Sequence, residues 1–504
     1  MTKTSSMRVY PAFFLGRTAL RLVPVAFALL AGGCMVGPDY HRPQVAMPAQ
    51  WKELSDWTQA EPAAEAPKGD WWSVFHDPLL DELEPLIVVS NQTVRQSYAN
   101  YQKALAEMRS TSAELFPTLD LSGGTTKTDQ RWDLSLKRNG QYKIKGRDNS
   151  AAQTLGINID WAPDLWGQVR RQIEQQSAAA QADQAMLVNA TLSAQIALAN
   201  AVINLRVTDA HIDLLTQTVD AYKDFLRVVS DQDQAGMTPP SDLVLARTQL
   251  ESAQANLIGL GAARAQYEHA IAVLVGRNPE DLSIAHSARL PVLPKIPAGV
   301  PSTILQRRPD IAAAERQMAA ANAAIGAATA AYFPSISLSS ALTGMQQPVL
   351  SILRVSNYTW ALGAGAAATL FDGGVRSARV DAARANYDAT VANYRGTVLR
   401  AFQNVEDNLS SLHVLAQQAE ALDGAVRHAT HGTQIAHDQY EAGTIDYTTV
   451  ATAQVTQFNN QRSALDVLQQ RLLNTVALIG NLGGSWADTP HDASPQPDPE
   501  RQRE

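Results

Sequence analysis

Most of this 504-residue chain is a duplication, and that fact limits its fold more than any single motif does. Phe116-Pro117 recurs as Phe333-Pro334, Trp166-Gly167-Gln168-Val169-Arg170 as Asp372-Gly373-Gly374-Val375-Arg376, and Ala235-Gly236 as Ala442-Gly443, all in the same order. Gly167 to Gly236 spans 236 − 167 = 69 residues and Gly373 to Gly443 spans 443 − 373 = 70, so the halves share one plan. Pro117 to Gly167 spans 167 − 117 = 50 residues but Pro334 to Gly373 only 373 − 334 = 39, which places 50 − 39 = 11 extra residues in one loop of the first half. Each half therefore builds the same set of elements.

Within each half the apolar periodicity changes from helical to alternating and back. Asn91 to Leu115 and Ile311 to Tyr332 have helical spacing, the second opened by Pro309, where a missing N–H leaves no bond unmade. Both end at Phe-Pro, and the residue before a proline is pushed toward extended backbone. Alternation begins there: Leu119 and Leu121 in the first half, Ile336, Leu338 and Leu342 in the second. Returning strands carry Leu155, Ile157, Ile159 and Trp161, then Tyr358, Trp360, Leu362, Ala364 and Ala366, alternating with small or polar residues. Roughly ten-residue strands of this kind, with aromatics near their ends, have the transmembrane β-barrel pattern. Lys127 to Ser150, rich in charge, fits a solvated outer loop. Four strands cannot close a barrel, since the smallest have about eight, so the chain must share its barrel with further copies.

Long Ala-rich helices follow, from about Asp164 to Gln234 and from about Gly374 to Tyr440, each extending roughly 100 Å at 1.5 Å per residue. Turns at Gly236 to Pro240 and Gly443 to Tyr447 lead into returning helices that end near Gly276 and Gly480.

The N-terminus carries Lys3, Arg8, Arg17 and Arg21 ahead of a short apolar run, Leu22 to Leu30, broken by Pro24. This is a signal peptide and not a span, which needs roughly 20 apolar residues. Leu30-Ala31-Gly32-Gly33-Cys34 resembles the bacterial lipobox, with Ala31 where a larger aliphatic is usual. Cys34 is the only cysteine, so disulfides are excluded and the thiol is free to take lipid. Met35 follows it, and the resemblance to enterobacterial lipoproteins implies sorting to the outer membrane, because Asp at that place is their inner-membrane retention signal. After cleavage no stretch is apolar enough for a membrane helix, so any crossing uses strands. A formal charge of −8 argues against a nucleic-acid partner. Enzyme motifs are missing: there is no Gly-x-Ser-x-Gly, phosphate loop or His-Glu-x-x-His, Gly363-Ala364-Gly365 lies inside a strand, and His428 with His431 reads as a solvated helix face with no further metal ligands.

Cys34-Met35-Val36-Gly37-Pro38-Asp39-Tyr40, Trp71-Trp72 with Phe75, Asp77-Pro78-Leu79, Arg307-Arg308-Pro309-Asp310-Ile311 and the doubled Phe-Pro and Ala-Gly positions together resemble the outer-membrane efflux channel lipoproteins, the TolC/OprM-like, NodT-type outer membrane factors. The resemblance spans Cys34 to about Gly484. It implies a mainly α fold with a transmembrane β-barrel: a homotrimer in which four strands per chain make 12, above long periplasmic coiled-coil helices. It implies an outer-membrane location and a passive conduit exporting toxic small molecules, antibiotics, solvents or aromatic acids, with a periplasmic adaptor and an inner-membrane pump as partners. No cofactor is implied beyond S-diacylglycerol and an N-acyl group on Cys34. The chain then divides into signal peptide 1–33, lipid-anchored extension 34–90, repeats 91–300 and 301–484, and a disordered tail 485–504 rich in proline and polar residues. The family's periplasmic gate maps to Gly236, Asp242, Tyr440, Gly443, Asp446 and Tyr447. Relatives carry acidic residues one and two turns beyond the second tip, where this chain has Thr449 and Thr452; Asp446 or Asp242 can replace them, and Asp446 can equally cap the returning helix. A periplasmic adaptor or a structural envelope lipoprotein is the alternative reading, although neither accounts for lipid-facing strands.

Overall fold

The computed structural model describes residues 35–43, 51–52, 70–135, 143–294, 308–346 and 358–484. Cys34, the signal segment 1–33, Arg307 and the tail 485–504 lie outside the described residues. Helices α1 (Pro78–Ser90) and α2 (Gln92–Ala113) lead into strands β1 (Thr118–Ser135) and β2 (Lys143–Trp161), then helices α3 (Gln168–Gln234) and α4 (Pro240–Leu274). The plan repeats as α5 (Pro309–Ala330), β3 (Ser335–Gln346), β4 (Tyr358–Ala367), α6 (Val375–Glu441) and α7 (Tyr447–Asn481).

One shift maps the long hairpins onto each other: 375 − 168 = 207 for α3 and α6, both 67 residues, and 447 − 240 = 207 for α4 and α7, both 35. The short helices and strand starts differ by 309 − 92 = 335 − 118 = 217. So 217 − 207 = 10 residues are lost within the second strand pair, one fewer than the motif spacing gives, because matching the helix starts pairs Gly167 with Gly374 (374 − 167 = 207) and not with Gly373. Nor are those residues a loop. Where Lys127 to Ser150 reads as solvated loop, β1 and β2 run on as an antiparallel ladder that pairs Ser135 with Lys143. The strand signal was hidden there because both faces are polar, and Arg147 clasps Asp129 across the ladder with bonds of 2.9 and 3.0 Å.

The chain divides into two compact units, one of residues 1–41, 105–178 and 318–389, the other of 42–104, 179–317 and 390–504. The first holds one four-stranded antiparallel sheet in the order β1-β2-β3-β4, so β1 and β4 are open edges. Its register brings Leu119 opposite Ile159, Leu121 opposite Ile157, Ile157 opposite Leu342 and Leu342 opposite Trp360, and all of these are exposed. The other face carries Asp120 opposite Asn158, Ser122 opposite Gly156 and Ser339 opposite Gly363, with Asn158 donating to Ser122 Oγ at 3.2 Å. In the same unit the segment after Cys34 lies on α3 and α5: buried Arg171 donates to the carbonyls of Val36 (3.1 Å) and Gly37 (3.2 Å) and to Asp39 (3.0 Å), and Asn322 Nδ2 to Pro38 O (3.0 Å). Gly37 at φ +102° rests directly on the Gly326 backbone, where no side chain fits.

In the second unit a core gathers Trp71, Phe75, Leu80 and Ile87 against Leu198, Val202, Ile203 and Leu205 of α3, with Ile271 and Val476. Contrary to the sequence expectation, α3 includes one stretch long and apolar enough to cross a membrane. Burial of these mid-helix residues gives that apolarity a packing role. Buried charges tie the core together: Arg206 Nε meets Asp77 at 2.9 Å while Asp77 also caps α1 through Leu79 N, and Arg264 meets fully buried Asp209 at 2.8 Å.

Candidate functional site

Two features carry chemistry. The first is the sheet. Its outward face is apolar and exposed, and aromatics mark both ends of the ladder: Tyr358 and Trp360 at the start of β4, Trp161 at the end of β2, with Phe116 just before β1 and Phe371 just after β4. A contiguous exposed apolar face is not stable in water but is what a bilayer core demands, with aromatic rings at its two interfaces.

The second is the pair of helix hairpins. Both long helices end in the same cap. Gly236 at φ +70° donates to Asp233 O while Met237 N reaches back to Gln232 O, and Gly443 at φ +69° donates to Tyr440 O while Thr444 N reaches Gln439 O. This is the Schellman arrangement, and glycine supplies the left-handed residue it needs. A Cβ at either glycine would meet nothing within 4 Å, so backbone conformation and not space selects glycine.

Around these turns Phe225 of α3 sits 5.4 Å from the Tyr447 ring, 5.6 Å from Tyr440 and 5.5 Å from His437. Tyr440 donates to Gln232 Oε1 at 2.5 Å, linking α6 to α3, and Tyr447 donates to Gln249 Oε1 at 2.9 Å, linking α7 to α4. Burial raises the Tyr440 and Tyr447 phenols above their ordinary range, and the nearby Asp242 charge adds to this, so both remain donors at neutral pH. Asp242 is buried and accepts from Thr238 Oγ1 at 3.0 Å. Asp446 is exposed and caps α7, accepting from Thr449 N at 3.1 Å and Thr449 Oγ1 at 2.8 Å, which hold its carboxyl below the usual range. Thr449 and Thr452 line an open groove of about 600 Å3 between α6 and α7, with Ile435, Gln439 and Thr456; Asp446 is the one ionisable side chain among its lining residues.

The structure thus joins Asp242, Tyr440 and Tyr447 in one cluster, leaves Gly236 and Gly443 at the turns, and commits Asp446 to capping. Phe225, Gln232 and Gln249 escape sequence reasoning. Phe225 had a visible signal, a lone aromatic about three turns before the Gly236 stop; the glutamines had none.

Lipid-facing strands that continue into hairpins of 67-residue helices define a membrane channel protein built for length. The chain belongs to the outer membrane efflux protein family, whose pattern matches residues 85–277 and 300–484. It is 30% identical over 483 residues, 95% of this chain and 98% of its relative, to the toluene efflux pump outer membrane protein TtgC of Pseudomonas putida. It is 28% identical over 469 residues, 92% and 99% of the two chains, to the cation efflux system protein CusC of Escherichia coli. The solved outer-membrane channel OprN superposes with a TM-score of 0.81 at 28% identity, covering 90% of this chain and 99% of that one. The fold is therefore that of an outer-membrane efflux channel, mainly helical with a transmembrane sheet and a long periplasmic portion, in a family of conduits and not of enzymes.

Proposed function

We propose that this chain is the outer-membrane subunit of a tripartite efflux system, a passive conduit through which toxic small molecules leave the cell. The observation that carries this is the sheet: four strands with a lipid-facing exterior, a small polar interior and two unpaired edges, continuous with helices long enough to reach deep into the periplasm. Open edges are not tolerated in lipid, so three copies close a 12-stranded barrel. A periplasmic adaptor and an inner-membrane pump supply recognition and energy. Relatives named for toluene and for cation efflux share this architecture, so cargo choice rests with the pump and the conduit passes antibiotics, solvents or aromatic acids alike.

Residues 34–90 form the lipid-anchored extension, with S-diacylglycerol and N-acyl on Cys34 after removal of 1–33; repeats 91–300 and 301–484 build the channel, and 485–504 is a tail without a role. Arg171 and Asn322 hold the residues just after Cys34 against the helices that carry the sheet, which suits an anchor beside the barrel. A Cys34→Ser chain with a cleavable signal peptide should still insert. The entrance is held shut at the tips by Tyr440, Tyr447, Asp242 and Asp446 about the Gly236 and Gly443 turns. Single-channel recording on purified trimers tests both ideas: wild type should open rarely, and the Asp446→Ala, Tyr447→Ala double variant often. Unchanged opening removes the tip from the gate, and no conductance from either removes the channel.

A further inference from the structure

The junction between the two repeats inside one chain is a template for the junction between copies. At the internal junction, where β2 meets β3, Trp166 stacks on Phe333 at 5.0 Å and donates its indole N–H to Pro334 O at 2.7 Å. Each partner has a counterpart at an open edge. Phe116 is Phe333 one repeat earlier (333 − 116 = 217) and stands at the β1 edge, 69% exposed; Leu370-Phe371 follows β4 as Leu165-Trp166 follows β2, and Phe371 is 90% exposed. The ring contact buried inside the chain is thus offered, unmade, on opposite sides of it.

Helix packing shows the same relation. Inside the chain Arg171 of α3 fills the space over Gly326 of α5, where a Cβ would lie 2.8 Å from the Arg171 side chain. Carrying each by its own shift gives 171 + 207 = 378 and 326 − 217 = 109, which are Ala378 and Arg109, both exposed. Large and small have changed sides, so the volume is conserved if α6 of one copy meets α2 of the next.

Strand register transfers likewise. The two hairpins obey the shifts without error: Thr118 opposite Asp160 becomes Ser335 opposite Ala367, since 118 + 217 = 335 and 160 + 207 = 367. We propose that β4 of one copy pairs antiparallel with β1 of the next in the register of β2 with β3, and that Phe371 stacks on Phe116 of that neighbour. Ile157 opposite Leu342 then becomes Ala364 opposite Thr125 (157 + 207 = 364; 342 − 217 = 125), and Asp160 opposite Ser339 becomes Ala367 opposite Ser122 (160 + 207 = 367; 339 − 217 = 122). Every such pair has residue numbers summing to 364 + 125 = 489. At the outer end Trp360 and Tyr358 meet Asp129 and Arg131, so no like charges face each other.

This rests on the trimeric reading above and specifies its seam. Paired antiparallel residues lie about 4.5–5.5 Å apart, within disulfide reach. Ala364→Cys combined with Thr125→Cys should, on oxidation of outer-membrane fractions, give covalent trimers on a non-reducing gel, and Ala364→Cys with Lys127→Cys should not. In the full chain Phe371→Ala should lower the temperature at which trimers dissociate, Phe371→Trp should restore it, and adding Phe116→Ala to Phe371→Ala should cost little more. Cross-linking by the Lys127→Cys pair instead, or by neither pair while heat-dissociable trimers are recovered, overturns the register and leaves the trimer standing. Recovery of monomers alone overturns the trimer itself.

Discussion

Helices α3 and α6 have equal length and equal turns, yet they live in different surroundings. Val405 and Leu409 of α6 are as fully buried as Leu198 and Val202 of α3, 207 residues earlier. But Leu192 of α3 is 8% exposed and its counterpart Leu399 is 62%; Val207 is 2% and Val414 is 56%. Charge differs as well. Arg206 and Asp209 of α3 hold Asp77 and the segment carrying His286 and Ser287, whereas 206 + 207 = 413 and 209 + 207 = 416 are His413 and Ala416. Duplication preserved the backbone plan. One copy then became the post to which the additional segments are tied, and the other kept an apolar flank uncovered within the chain.

If that flank is covered by another copy, Leu399→Glu with Val414→Glu should abolish heat-resistant trimers while circular dichroism stays helical, because buried unpaired carboxylates are costly. Survival of the trimers would return the flank to solvent. The tie on α3 is tested by Asp77→Ala, which strands Arg206 in a buried site and should lower stability by about 3–5 kcal/mol in urea unfolding; His413→Ala on α6 should change it by roughly 0.5 kcal/mol or less.

Next in size is a pH effect confined to α1, which has no described counterpart before α5. Glu84 is fully buried with neither carboxyl oxygen hydrogen-bonded, and burial pushes its pKa up to about 9. It is protonated when folded and ionises from 4.5 upward when unfolded, so its contribution is intact below 4.5 and is lost as pH rises toward 9. Glu84→Gln should flatten the fall in melting temperature between about pH 5 and pH 9; an unchanged slope would mean that Glu84 is not its source. Smallest, and the same in both repeats, are Gly236→Ala and Gly443→Ala, each expected to lower stability by about 1 kcal/mol through the left-handed turn. Unequal losses would show that the two caps are not equivalent.

Helices, their stops and the strand starts were legible because each has a local cause: a period, a proline after phenylalanine, a glycine after the last turn. The first hairpin was not, since beyond Lys127 pairing is sustained by the partner strand and not by alternating hydrophobicity. The strap was half legible. Val36-Gly37-Pro38-Asp39 stands out as a motif, but its contacts are Arg171 and Gly326, more than a hundred residues away, and nothing local announces them. At the tips the tyrosines and Asp242 were named from resemblance, while the glutamines that receive the phenol protons became visible only once four helices converged.

The equal length of α3 and α6 also restricts how such a chain can change over time. Adding one residue to a helix lifts everything beyond it by about 1.5 Å and turns it by about 100°, so Tyr440 would lose Gln232 and the turn glycines would leave their common level. A lone insertion in either rod is therefore a fault, and only matched insertions in both leave the tips aligned. Such a helix pair behaves as a ruler that can be recalibrated only at two places at once.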